Sequence, residues 1–238
     1  MNNKRLQLWI ASAGTKPWYL SPYFLLSLTL LLVTTVYPLA QAQNNILLHD
    51  VVISAMLISA LYAVNDKRII FRILATLLLP LLVATWSLES DSQSVLSKLS
   101  AISTMAFLCI TLATVFIHVI VAHKIDANMI FGSVAAYLLV GIIVALMLLY
   151  LHNANPGSVL GSLNNTDPWG GGSDNFAVLL YFSMITLTSV GYGDMVPVGP
   201  AAKSVATFTG VFGQLYVAIL VGKLVGLHTA QMMERKHG

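Results

Sequence analysis

Charge is what this sequence has least of. Only 9% of its 238 residues are Asp, Glu, Lys or Arg, while 57% are hydrophobic. A soluble domain carries about 25% charged residues, so that class is excluded, in keeping with a mean hydropathy of +0.81. The net charge of +3 is small. Its basic residues sit in short loops and near the ends, which fits a membrane topology signal rather than a nucleic-acid surface, and no nucleic acid is expected as a partner. Cysteine is nearly absent as well. The single Cys109 rules out an intrachain disulfide framework, and its place inside an apolar run reads as a small core residue. The first twenty residues contain Lys4, Arg5 and Lys16 but no compact apolar core with a small-residue cleavage site, so no cleaved signal peptide is expected. Internal repeats and low-complexity tails are missing too. What is left is an integral membrane protein surrounded by lipid.

Long apolar runs are what the sequence does have. A hydrocarbon core of about 30 Å takes roughly 20 helical residues. Six runs fit that length: Ser21–Ala40, Ile46–Val64, Ile69–Trp86, Leu99–Ala122, Ile130–Leu151 and Lys203–Leu227. A seventh, Phe176–Leu187, is too short to span and predicts a re-entrant or buried helix. Six alternating spans put Lys4, Arg5, Lys16, Lys67, Arg68, Arg72, Lys124, Arg235 and Lys236 on one side. Asp50, Glu89, Asp91, Lys98, Lys203 and the loop 153–173 fall on the other. That bias predicts a multi-pass protein with both termini in the cytoplasm. The loop reads as an exposed linker, with turn formers at Asn155-Pro156-Gly157 and Gly170-Gly171-Gly172. Asn164-Asn165-Thr166 matches a glycosylation pattern that short matches reach by chance. Ser173 or Asp174 stands where it could cap the short helix.

The chemistry follows that short helix, in Thr186-Leu187-Thr188-Ser189-Val190-Gly191-Tyr192-Gly193-Asp194. Non-helical backbone at membrane depth is tolerated only where it is buried in protein or lines a water-filled path. Gly191 and Gly193 can take positive φ. With Val190 and Tyr192 turned outward to pack, successive carbonyls could then face one axis and replace the hydration shell of a cation. Ser189 could add a hydroxyl oxygen. A short helix ending here also aims its negative C-terminal dipole at the same place.

This segment resembles the pore of the tetrameric potassium channels, and the stretch from Tyr181-Phe182-Ser183 to Asp194 and Pro197 is similar to bacterial members of the two-helix pore-domain group. The resemblance covers roughly residues 131–227. It implies that Ser189, Val190, Gly191, Tyr192 and Gly193 supply oxygens to K⁺, with K⁺ bound at Ser189, Val190, Gly191 and Tyr192. Asp194 would stabilise the outer mouth, and Tyr181 and Phe182 would brace the filter. Two departures stand out. Ser189 replaces the usual threonine, keeping the hydroxyl and losing the methyl. Ile185 occupies a place where some bacterial channels carry a glutamate bonded to the outer aspartate, so Asp194 needs another partner. Counting from the filter, Gly213 falls on the family's hinge glycine and could act as a hinge or as a packing contact. Gln214 and Val217 fall toward the cavity; Gln214 could instead bond a neighbouring helix. Lys223 is expected to snorkel to the interface.

Four helices before a pore pair invite a voltage-sensor reading. Each charge crossing the field supplies about 2.3 kcal/mol per 100 mV, yet the span Leu99–Ala122 contains no Arg or Lys. Steep voltage gating is not expected. His118, His123 and Asp50 read as interfacial or helix-bonded polar residues rather than as a pH sensor. Few residues follow Leu227, so no cytoplasmic ligand-binding domain is expected.

The expectation is an all-α membrane protein, with six transmembrane helices, one re-entrant pore helix and one filter per subunit, four identical subunits forming a homotetramer. Its parts are a cytoplasmic N-terminus (1–20), a four-helix domain (21–125), a pore domain (126–228) and a short tail (229–238). Within the pore domain lie an outer helix (130–151), a pore helix (175–187), a filter (189–194) and an inner helix (203–227). The function is passive K⁺ conduction, without enzymatic activity and with no cofactor beyond the permeant ion. The bacterial likeness implies a prokaryotic inner membrane. A K⁺ transporter subunit is the rival from another class, although transporters on this plan carry four degenerate filter copies per chain. A weakly selective cation channel is a second rival, and a non-conducting regulatory subunit a third.

Overall fold

The computed structural model describes residues 21–43, 45–65, 67–87, 95–154, 160–162 and 176–237. Lys4, Arg5, Lys16, Glu89, Asp91, Ser173, Asp174, the 155–157 and 170–172 turns and the 164–166 pattern lie outside them, as do the side chains of Lys98, Arg235 and Lys236.

Every apolar run forms a helix: α1 (Pro22–Ala42), α2 (Ile46–Ala63), α3 (Arg68–Ser87), α4 (Val95–Val121), α5 (Ala127–Ala154), α6 (Phe176–Leu187) and α7 (Pro200–His237). Polar residues set several starts. Ser21 Oγ accepts from Phe24 N at 3.3 Å, with Pro22 in the first turn. Asn45 does the same for Leu48 N at 3.1 Å, and Asp126 for Met129 N at 2.8 Å. Each cap satisfies an amide that the helix cannot pair internally. Four helices, α1, α4, α5 and α7, are long and apolar enough to cross a membrane. The six-span expectation is weaker for the other two. At 18 residues, α2 is about 27 Å long, and α3 carries Arg68 and Arg72 in its first turns and Pro80 further on.

α1 packs on α2 and α5, α4 on α5, and α6 sits between α5 and α7. The shared core includes Leu26, Leu30, Leu57, Phe107, Leu139 and Leu179, all fully buried. Polar links cross between helices: Ser21 Oγ donates to Asn128 Oδ1 (2.5 Å), Thr29 and Ser59 share a 2.6 Å bond, and Trp86 Nε1 donates to Ser54 Oγ (3.0 Å).

Several sequence expectations are corrected. Cys109 is exposed, because Phe107, Leu108, Thr111 and Val115 take the buried stripe of α4 and leave it outside. Asp50 is buried and paired with His49 Nδ1 at 2.7 Å rather than simply interfacial. His49 in turn lies 4.6 Å from the Tyr37 ring. His118 needs no such correction: it is exposed, with its ring 4.7 Å from that of Tyr23 on α1. The linker at 153–173 is not wholly irregular: α5 continues to Ala154, and Leu160–Ser162 (β1) pairs antiparallel with Met195–Pro197 (β2), Gly161 facing Val196. α7 runs unbroken for 38 residues, about 57 Å, so residues 229–237 prolong the inner helix instead of forming a separate tail.

Candidate functional site

The site begins at α6, whose 12 residues reach about 18 Å. One side is locked to α5: Ser183 Oγ donates to Gly141 O at 2.8 Å. A Cβ at Gly141 would fall 2.6 Å from Met184 Cε, the movable tip of a side chain. The far end of α6 closes in a Schellman pattern. Ser189 N donates to Thr186 O (3.0 Å) and Val190 N to Ile185 O (2.9 Å), with Ser189 at φ 58° as the left-handed residue. Two further groups hold the terminal carbonyl of Leu187. Tyr137 OH of α5 donates to it at 3.0 Å, and α7 passes so close at Gly213 that a Cβ there would lie 1.9 Å from it. Gly213 is therefore a close packing contact.

Beyond this anchor the backbone alternates in hand. Positive φ occurs at Ser189 (58°), Gly191 (51°) and Gly193 (80°), and Ser189 is the only non-glycine among the described residues to adopt it. In an ordinary strand successive carbonyls alternate in direction. Alternating left- and right-handed residues turn them toward a common side instead. Space does not demand glycine at 191 or 193, since a Cβ at either would meet nothing within 4 Å. The conformation does, at roughly 1–2 kcal/mol for each side-chain-bearing residue forced left-handed. Ser189, Val190, Gly191, Tyr192 and Asp194 are exposed, and Tyr192 keeps 73% of its surface open. Within one chain the outward packing expected for Val190 and Tyr192 is not made.

The aromatic pair divides its roles. Phe182 is buried in the core. Tyr181 OH donates to Asp194 Oδ2 at 2.7 Å, and Asp194 Oδ1 accepts from Met195 N at 3.0 Å. The carboxylate bond pushes the Tyr181 phenol up to about 12, so it stays a donor at ordinary pH. Tyr181 is thus the partner that Asp194 needed. On α7, Gln214 Nε2 donates to Ser189 Oγ at 2.9 Å, and Val217 is exposed three residues further on. Lys223 reaches the end of α4: its Nζ donates to Val119 O (2.6 Å) and Ile120 O (2.5 Å), the last-turn carbonyls of that helix.

Sequence reasoning missed Ser189 as a left-handed residue, Tyr137 as a clasp and α4 as the partner of Lys223. For Tyr137 a signal existed, since a tyrosine inside an apolar run usually needs a partner for its hydroxyl. For the others none did.

A bundle of apolar helices with a short inserted helix, followed by a segment of alternating positive φ, has the character of a membrane protein. Residues 138–229 match the family model described as ion channel. That match spans mid-α5, α6, the 189–194 segment and most of α7, and it supports an ion channel. No curated protein and no solved structure gives a significant match to the chain.

Proposed function

We propose that the protein is a potassium-selective channel that conducts K⁺ passively as a homotetramer in the cell membrane, with both termini cytoplasmic. The observation that carries this reading is the alternation of positive φ at 189, 191 and 193. It supports a row of carbonyls able to replace an ion's hydration shell, as the filters of potassium channels do. A single such row cannot enclose an ion. Four chains around an axis would enclose it and would cover the exposed Val190 and Tyr192. Asp194, tied by Tyr181, would stand at the outer mouth, and Gln214 and Val217 would line the cavity. The K⁺ sites would be built from Ser189, Val190, Gly191, Tyr192 and Gly193, with no other cofactor and no chemistry on the ion.

Ser189 favours a second reading, a weakly selective cation channel, because its hydroxyl lacks the methyl that stiffens a threonine. Purified full-length protein in liposomes, assayed for flux under K⁺ and Na⁺ gradients, separates the two. The expected result is a large K⁺ flux with little Na⁺ flux. Comparable permeabilities would sink the selectivity reading, and flux saturating at carrier-like rates would favour a transporter.

A further inference from the structure

The innermost residue of the filter segment combines two features that weaken a coordinating group. Ser189 is left-handed and exposed, and serine has none of the β-branching that restricts χ1 in threonine. A hydroxyl free to turn among three wells is a poorly placed ligand. In this chain the hydroxyl is not free, because Gln214 Nε2 holds Ser189 Oγ at 2.9 Å from the adjoining helix. That reach depends on the residue before it. Gly213 brings α7 against the Leu187 carbonyl, where a Cβ would stand 1.9 Å away, and Leu187 is two residues from Ser189. Close approach and reach are therefore one device, spelled Gly213-Gln214.

We propose that Gln214 is a specificity-determining positioning residue: its amide fixes the Ser189 hydroxyl for the permeant ion, replacing the restraint that a threonine methyl would give. This rests on the K⁺-channel reading above. The bonded oxygen retains a lone pair for a cation, and a fixed oxygen discriminates better between ions of different radius than one that can follow the smaller ion inward.

The test is the K⁺/Na⁺ permeability ratio, taken from reversal potentials under bi-ionic conditions, which do not depend on how many channels fold. Full-length wild type, Gln214→Leu, Ser189→Thr and the double variant form a cycle. Gln214→Leu is expected to lower the ratio about three- to tenfold, the size of one hydrogen bond. In the Ser189→Thr background the same change is expected to matter less than about twofold, because the methyl already restrains the hydroxyl. Equal losses in both backgrounds, or no loss in the serine background, would overturn the inference. Gln214→Asn, too short to reach but still polar, is a further check that does not need the threonine variant to fold. It is expected to behave like Gln214→Leu, and full retention of selectivity would show that cavity polarity, not the bond, matters. A wild type without preference for K⁺ would overturn the K⁺-selective reading and this inference together, whereas a selective wild type with an indifferent Gln214 overturns the inference alone.

Discussion

At the scale of single residues, two glycines do different work. Gly191 is required by its backbone hand, since its φ is 51° and the space around it is open. Gly191→Ala should fold, because a left-handed alanine costs roughly 1–2 kcal/mol, but should lose K⁺ conduction as the carbonyl row relaxes. Normal current from that variant in bilayers would contradict the site assignment. Gly213 is required by contact, since its neighbour is the Leu187 carbonyl rather than a movable side chain. Gly213→Ala should lower the thermal unfolding midpoint, with an overpacking cost of about 1–3 kcal/mol, and should disturb the segment that starts two residues after Leu187. A variant as stable and conductive as wild type would mean that α7 does not approach α6 so closely. Tyr181→Phe should cut Asp194 loose from α6 while leaving the buried core intact. The expected outcome is a severalfold fall in single-channel conductance or its lifetime with unchanged helix content by circular dichroism.

At the scale of elements, the contacts of α7 link the proposed pore to the helices before it. Tyr216 OH donates to Ser133 O of α5 at 2.7 Å, and its ring faces Phe116 of α4 at 6.3 Å. Lys223 adds a cation at the C-terminal end of α4, where the helix dipole leaves negative charge. Such a placement contributes up to ~2 kcal/mol when partly buried. Lys223→Met should therefore loosen α7 from α4 and change the open probability, whereas Lys223→Arg should keep most of the wild-type behaviour. Bilayer recordings check this: identical gating in all three proteins would mean that the contact does not bear on opening. Gly222 and Gly226, which flank this lysine, have open space where a Cβ would go, so close packing within the chain does not explain them.

At the scale of the whole molecule, the described part of α4 carries no Arg or Lys from Leu99 to Val121. With about 2.3 kcal/mol per charge per 100 mV, a voltage ramp across planar bilayers should give a nearly ohmic response apart from rectification in the pore itself. Steep activation would assign α1–α4 a sensing role that their charge pattern does not suggest. The exposed apolar side chains of α7, among them Phe208, Val211, Leu215 and Ile219, leave much of that helix uncovered in a single chain. Lipid or further copies of the chain must cover them, since so large an apolar face is not stable in water.

Read alone, the sequence shows which segments are helical. Helix formation in apolar runs follows from the need to pair every backbone group away from water, so all seven runs became helices, with ends within a few residues of those expected except at the C-terminus of α7, which continues from Leu227 to His237. The short Phe176–Leu187 run is helical along its whole length and ends at Leu187, as expected from the run. Gly191 and Gly193 were legible because only glycine takes positive φ freely. What depended on distances between segments was not legible. The left-handed Ser189 arises from the closure of α6, the Tyr181–Asp194 and Gln214–Ser189 bonds join residues 13 and 25 apart, and Lys223 finds carbonyls 103 and 104 residues away. Such contacts are set by how helices cross and how near they come, and a pattern of hydrophobicity along one chain carries neither quantity. They are set in three dimensions, because the backbone contact at Gly213 fixes how near α7 comes to the end of α6, and the Ser183–Gly141 bond holds α6 on α5.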